Sequence, residues 1–405
     1  MSLQKTQKLS ERVLASLATR HDALQWERLM SNLLKRLELD EAELADAKKT
    51  YETLATKIAT KLNVPTYDVD VFPQGSMRTQ TTISPRGNAQ FDLDIVVKLS
   101  GPNFNSVDPE KFFADFGAAL EGNESVTGAP KAKRRCWRLN YPGKPFYFDV
   151  TPALADGLGV TGAKLKVRDP DTKWSPSNPE DFADWFCERA AYRFPFMTVV
   201  QKGLVEARTT VQPLPDEEVG FDDILRRTVQ LMKLHRDNMY WYASEASKEA
   251  QPISVIIVTL ATKAFERVWS TRKNEFKSPI EVVLAVLEEM PNQFDNRNGV
   301  IWVANPRLPG ENFADRWRHD AGARRQEFSK WFARLETDVE ALLSQSESNA
   351  NETKIRNVFG DFGVKAWKDS LPSTSVLTGL LASAPGRAKT NPSAPPKVGS
   401  SSTLG

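Results

Sequence analysis

Gln74-Gly75-Ser76-Met77-Arg78-Thr79-Gln80-Thr81, followed by Phe91-Asp92-Leu93-Asp94-Ile95-Val96-Val97, are the stretches whose reading decides the fold of this 405-residue chain. The second is apolar and β-branched around its two aspartates, as a strand is. Side chains alternate across a strand, so Asp92 and Asp94 project from one face. Upstream, Asp68-Val69-Asp70-Val71-Phe72 alternates polar and apolar residues, as a half-buried strand feeding a turn at Gly75 does. A Gly-Ser turn brings backbone N–H groups and a hydroxyl close enough to hold phosphate oxygens.

A third carboxylate comes from farther along. Arg135-Cys-Trp-Arg-Leu-Asn-Tyr141 and Phe146-Tyr-Phe-Asp-Val150 flank Pro142-Gly143, which sets a fixed φ and then permits a positive one. That is a hairpin whose second strand carries Asp149. Asp92, Asp94 and Asp149 are therefore expected on one sheet.

Joining a 3′-hydroxyl to an α-phosphorus with loss of pyrophosphate places charge on the attacking, leaving and non-bridging oxygens. Two metal ions about 3.5 to 4 Å apart stabilise that charge, and clustered carboxylates hold them. The expected catalytic and metal-binding residues are Asp92, Asp94 and Asp149, with two Mg²⁺ (or Mn²⁺) ions per site. Asp149 holds the ion that activates the hydroxyl and is placed to accept its proton. Because the aspartates sit among Phe91, Leu93, Ile95, Val96 and Val97, their strand is covered on at least one side, and paired charges there call for a counter-ion. Replacing any of the three by Asn is expected to leave the metal-free fold as stable or more so.

Composition narrows the partners. Fifty-four basic and 52 acidic side chains leave a net charge of +2, so no global field argues for nucleic acid. Two cysteines, Cys136 and Cys187, and three histidines, His21, His235 and His319, are too few for a zinc ribbon or a disulfide framework. A reduced, cytoplasmic setting follows. No signal-peptide pattern opens the sequence, and no apolar run approaches the ~20 residues of a membrane span.

The fold class read from these patterns is α+β, with a mixed sheet and helices packed against a helical C-terminal domain. Residues 1–62 read as N-terminal helices, with Leu14, Leu17, Leu24, Trp26, Leu29, Leu33 and Leu37 as an apolar stripe and Glu41 to Leu62 as one helix closed by Pro65. Residues 63–200 form the catalytic core and 201–381 the helical domain. Within the latter, the run Ile253 to Leu260 suits a buried helix, although periodicity alone leaves a strand open. Residues 382–405 are Ala-, Gly-, Pro-, Ser- and Lys-rich and are expected to be disordered.

Gln74 to Thr81 resembles the Q-G-S-x-R-x-x-T motif of polymerase-β-like nucleotidyltransferases, and with Asp92, Asp94 and Asp149 it is similar to the bacterial CD-NTases, relatives of the animal cyclic GMP-AMP and oligoadenylate synthases. The resemblance covers most of residues 10–380. It implies a synthase of cyclic di- or trinucleotides from ATP and other NTPs, whose product activates an effector in CBASS anti-phage defence. Nucleotide binding is then expected at Gln74, Gly75 and Ser76. Leu225-Arg-Arg-Thr-Val-Gln-Leu-Met-Lys233 is similar to the family helix that carries a triphosphate-contacting lysine, and Ser254, at the start of an apparent helix, corresponds to a serine near the same phosphates. Trp174 to Pro179 and Ile301 to Pro306, with Glu311-Asn312-Phe313, resemble segments bordering the nucleotide cleft. The resemblance also implies that an E1/E2-like transferase conjugates the chain through Gly405, and no nucleic-acid activator is expected.

The alternatives are a template-independent nucleotidyltransferase acting on RNA or protein, and an inactive nucleotide-binding module. The intact aspartates argue against the module. The basic run Lys131, Lys133, Arg134, Arg135 and Arg138 reads first as a solvated strand face and second as an attractor of triphosphates.

Overall fold

The computed structural model describes residues 8–16, 26–27, 29–30, 33–34, 38, 41–83, 90–122, 128–156, 164–196, 223–344 and 351–370. The expected tail with Gly405, and Leu17, Leu24 and Leu37 of the N-terminal stripe, lie outside them. Residues as far as Trp367 form one compact unit.

Seven strands form a single mixed sheet: β1 (Val69–Pro73), β2 (Phe91–Leu99), β3 (Lys131–Ala132), β4 (Trp137–Asn140), β5 (Phe146–Ala155), β6 (Leu165–Asp169) and β7 (Lys173–Ser177). The order is β1-β2-β5-β4-β3, with β6 pairing the far end of β5 and β7 pairing β6. β2 and β5 run parallel, whereas every other pairing in this sheet is antiparallel. Helices are α1 (Leu9–Ser16), α2 (Glu41–Leu62), α3 (Gly75–Thr79), α4 (Pro109–Leu120), α5 (Pro179–Ala190), α6 (Ile224–Tyr240), α7 (Glu245–Ala250), α8 (Ser254–Arg272), α9 (Pro279–Glu289), α10 (Ala323–Leu343) and α11 (Glu352–Ser370). A parallel pair needs a long crossover, and α4 supplies part of it.

Strand alternation sorts the sheet into two faces. Leu93, Ile95, Val97 and Leu99 of β2 and Phe146, Phe148 and Val150 of β5 pack with Leu54 and Ile58 of α2 and Phe112 and Phe116 of α4. Asp108 caps α4 by accepting from the N–H groups of Glu110 (3.0 Å) and Lys111 (2.9 Å). Gly117 lets the helix meet the sheet, since a Cβ there would stand 2.2 Å from the Trp137 ring. The opposite face carries Asp92, Asp94, Tyr147 and Asp149.

The helical region is a second, larger core in which Met232 of α6, Ile257 and Phe265 of α8, Leu284 of α9 and Trp331 of α10 are buried together. The ambiguous run at Ile253 is helical. Ile256, Ile257, Leu260, Ala261, Ala264 and Phe265 recur at helical spacing along a 19-residue element, too long and regular for a strand. The fold is thus α+β, a mixed sheet with helices beside a helical C-terminal region. Among the described residues no helix is long and apolar enough to cross a membrane.

Candidate active site

The register of the sheet assembles the carboxylates. Asp94 on β2 is the direct partner of Asp149 on β5, and Asp92 that of Tyr147. Parallel partners share a face, so all four side chains point away from the α2 and α4 core. One oxygen from each of Asp92, Asp94 and Asp149 lies within 4.8 Å of the others.

The Gly-Ser motif is the start of a short helical turn. Gly75 opens α3 at φ +60°, and a Cβ on it would stand 2.5 Å from Oδ2 of Asp94. Glycine is therefore required twice at this position, by backbone sign and by the approach of the carboxylate. The Gln74 N–H donates to the Asp94 carbonyl (2.9 Å), locking α3 to β2. The Gln74 side chain donates from Nε2 to Thr151 Oγ1 on β5 (3.3 Å), two residues beyond Asp149. Ser76 Oγ accepts from the Thr82 hydroxyl (3.3 Å).

A cleft of about 550 Å³ lies beside these groups, lined on the sheet side by Gly75, Ser76, Asp92, Asp94 and Tyr147 and on the helical side by Lys233, Arg236 and Ser254. Lys233 is buried, and its ammonium donates to the Thr81 carbonyl (2.7 Å). Ser254 is the first residue of α8, where free N–H groups favour an anion. Its Oγ accepts from Nη1 of Arg236 (2.9 Å), which also donates to the Pro252 carbonyl (3.1 Å). Arg236 is absent from the sequence reading. Its signal was its place three residues after Lys233, one helical turn along the same face.

Electrostatics mark the site as short of positive charge. Burial first, then the charges of Asp92 and Asp149, raise the Asp94 carboxyl well above the ordinary range. Desolvation within the cleft, followed by the charge of Asp149, raises Asp92 to about 6, although part of its surface stays open to solvent. Burial, then the neighbouring Arg236, lowers Lys233 to about 8. Like charges crowded this closely fit a divalent cation, whose binding relieves the repulsion.

Asp149 corrects one expectation. Arg138 on β4, its direct antiparallel partner, donates from Nε to Oδ1 (2.8 Å) and from Nη2 to Oδ2 (2.7 Å). This carboxylate already has a counter-ion, so removing its charge relieves Asp92 and Asp94 but leaves Arg138 without its partner. The basic run is likewise not a bare strand face. Arg134 and Arg135 both pair with Asp169, which is 1% exposed, and Arg135 also with Asp315. Lys131 and Lys133 are exposed.

The segments expected to border the cleft stand behind its lining, with Phe313 packed edge-on against Phe182, which lines it. Asn305 is buried and donates to the Asn178 carbonyl (3.3 Å) and to Glu311 Oε2 (2.7 Å), a brace between the sheet and the small β hairpin that follows. Asn312 Oδ1 accepts from the N–H groups of Val303 and Ala314. Trp174 packs on Phe112.

Residues 25–189 match the family model of the Second Messenger Oligonucleotide or Dinucleotide Synthetase (SMODS) domain. The chain is similar to bacterial cyclic-dinucleotide synthases. It is 28% identical over 314 residues to a c-di-GMP synthase of Roseivirga ehrenbergii, covering 74% of this chain and 75% of that one. It is also 28% identical over 259 residues to the cyclic dinucleotide synthase CdnG of Bradyrhizobium diazoefficiens, covering 61% and 59%. The fold superposes on the structure of the Bradyrhizobium CD-NTase CdnG in complex with GTP with a TM-score of 0.63, at 23% identity, over 84% of this chain and 97% of that one. The chain is accordingly a nucleotidyltransferase.

Proposed function

We propose that this chain is a CD-NTase that condenses nucleoside triphosphates into a cyclic dinucleotide and takes GTP as at least one substrate. The observation that carries the reading is the cleft, which sets Asp92 and Asp94, with Asp149 converging on them, against the polar group Lys233, Arg236 and Ser254. The guanine preference is supported by the c-di-GMP synthase and by the GTP-bound CdnG structure among the relatives. The same reading makes the product a second messenger for an anti-phage effector, as the family resemblance implies.

In the reaction, the 3′-hydroxyl oxygen of one nucleotide bonds to the α-phosphorus of another. The bond to the bridging oxygen breaks, pyrophosphate leaves with the electron pair, and a second such step closes the ring. Divalent cations held by Asp92, Asp94 and Asp149, as two Mg²⁺ (or Mn²⁺), would lower the pKa of the attacking hydroxyl and offset charge on the departing pyrophosphate. Ser76 and the first N–H groups of α3 hold the triphosphate from the sheet side, and Lys233 and Ser254 from the helical side. Arg236 holds the Ser254 hydroxyl in place. Phe182, Val255 and Val258 make that wall partly apolar and exclude water from around a base.

Incubating the protein with the four NTPs and Mg²⁺ or Mn²⁺, followed by mass spectrometry, tests this. A guanine-containing cyclic dinucleotide with one pyrophosphate per bond is expected. Polymer on added RNA, nucleotidylated protein or unreacted NTPs would overturn it.

A further inference from the structure

Arg138, Asp149 and Asp94 form one row across three strands, each the register partner of the next. Both oxygens of Asp149 are taken by the guanidinium, at 2.8 and 2.7 Å. Yet one of them belongs to the set of three that converge within 4.8 Å. A cation at Asp149 and the guanidinium therefore contend for one carboxylate, and their like charges repel at that range. Arg138 also has somewhere to go. Its guanidinium lies 4.0 Å over the ring of Tyr147, and Tyr147 itself lines the cleft. A planar, permanently charged fork suits both a carboxylate and a phosphate.

We propose that Arg138 is a resident counter-ion that keeps Asp149 from a divalent cation until a triphosphate arrives to receive the guanidinium, so that cation binding is completed only with substrate present. This rests on the reading of Asp149 as a metal ligand. Arg138 is a positioning residue in this scheme: it sets when Asp149 is free to bind a cation or accept a proton.

The test is Mn²⁺ binding to the full chain by calorimetry, for wild type, Arg138→Gln and Arg138→Lys, without nucleotide and with a non-hydrolysable GTP analogue. Without nucleotide, Arg138→Gln is expected to bind Mn²⁺ roughly tenfold tighter than wild type, with Arg138→Lys between them, and the analogue is expected to close most of the gap. Equal or weaker Mn²⁺ binding by a folded Arg138→Gln would overturn the proposal and leave Arg138 as a fixed support for Asp149. Should Arg138→Gln not fold, wild type alone decides: Mn²⁺ affinity that does not rise on adding the analogue overturns it. An Asp92→Asn/Asp94→Asn double variant is the separate control. Undiminished Mn²⁺ binding by that variant would remove the carboxylate site itself rather than the role of Arg138.

Discussion

At the level of single residues, charge balance separates Asp92 and Asp94 from Asp149. Desolvation and the neighbouring carboxylates, Asp149 among them, raise the first two, whereas the third is held by a direct pair with Arg138. All three Asn variants should lose product formation, because each removes a carboxylate from the cation site. Their metal-free stabilities should diverge. Asp92→Asn and Asp94→Asn should melt at or above the wild-type temperature, and Asp149→Asn below it, since a charged hydrogen bond is worth roughly 1.5 to 3 kcal/mol. The pH dependence has a definite sign. Asp92 in the fold titrates at about 6, against about 3.9 in the unfolded chain, so between those values the folded site binds more protons. Metal-free stability should therefore rise as pH falls through that window and be lost as pH rises through about 6. Thermal melts at about pH 5 and about pH 7.5 check this, and the Asp92→Asn/Asp94→Asn variant should flatten the difference.

At the level of elements, β2, β5 and the β4–β5 hairpin were legible because alternation and turn chemistry are local. Pro142-Gly143 sits where a turn was expected, with Gly143 at φ +71°. What alternation does not encode is register, and register is what brings Arg138 opposite Asp149. The basic run consequently looked solvated in sequence. The two glycines make a comparison of elements. Gly143→Ala meets nothing within 4 Å and should cost only the left-handed strain, about 1 to 2 kcal/mol, with turnover retained. Gly75→Ala carries the same strain and also drives a Cβ to 2.5 Å from Asp94, so it should displace the carboxylate and reduce turnover by two orders of magnitude or more. Melting temperatures and product yield of the two variants, measured side by side, check the contrast.

At the level of the whole molecule, the cleft exists because two cores meet along it, with Lys233 reaching the Thr81 carbonyl across 152 residues of chain. Lys233→Met should weaken binding of a GTP analogue roughly ten- to a hundredfold at neutral pH, the worth of one charge-assisted contact. Burial already lowers this ammonium to about 8, so in the free protein it is cationic at neutral pH and loses its charge above. Calorimetry at rising pH should thus find the wild-type advantage shrinking, while an advantage unchanged well above pH 8 would place the gripping charge elsewhere. By itself the sequence determined the strands, the glycine turn and the shared face of Asp92 and Asp94, because period-two alternation and backbone sign are properties of a few adjacent residues. Only the tertiary structure decided that Gln74 turns to Thr151, that Arg236 joins Lys233 and Ser254, and that Arg138 occupies Asp149. Those contacts depend on strand register and on packing between distant segments, and no local pattern in the chain carries either.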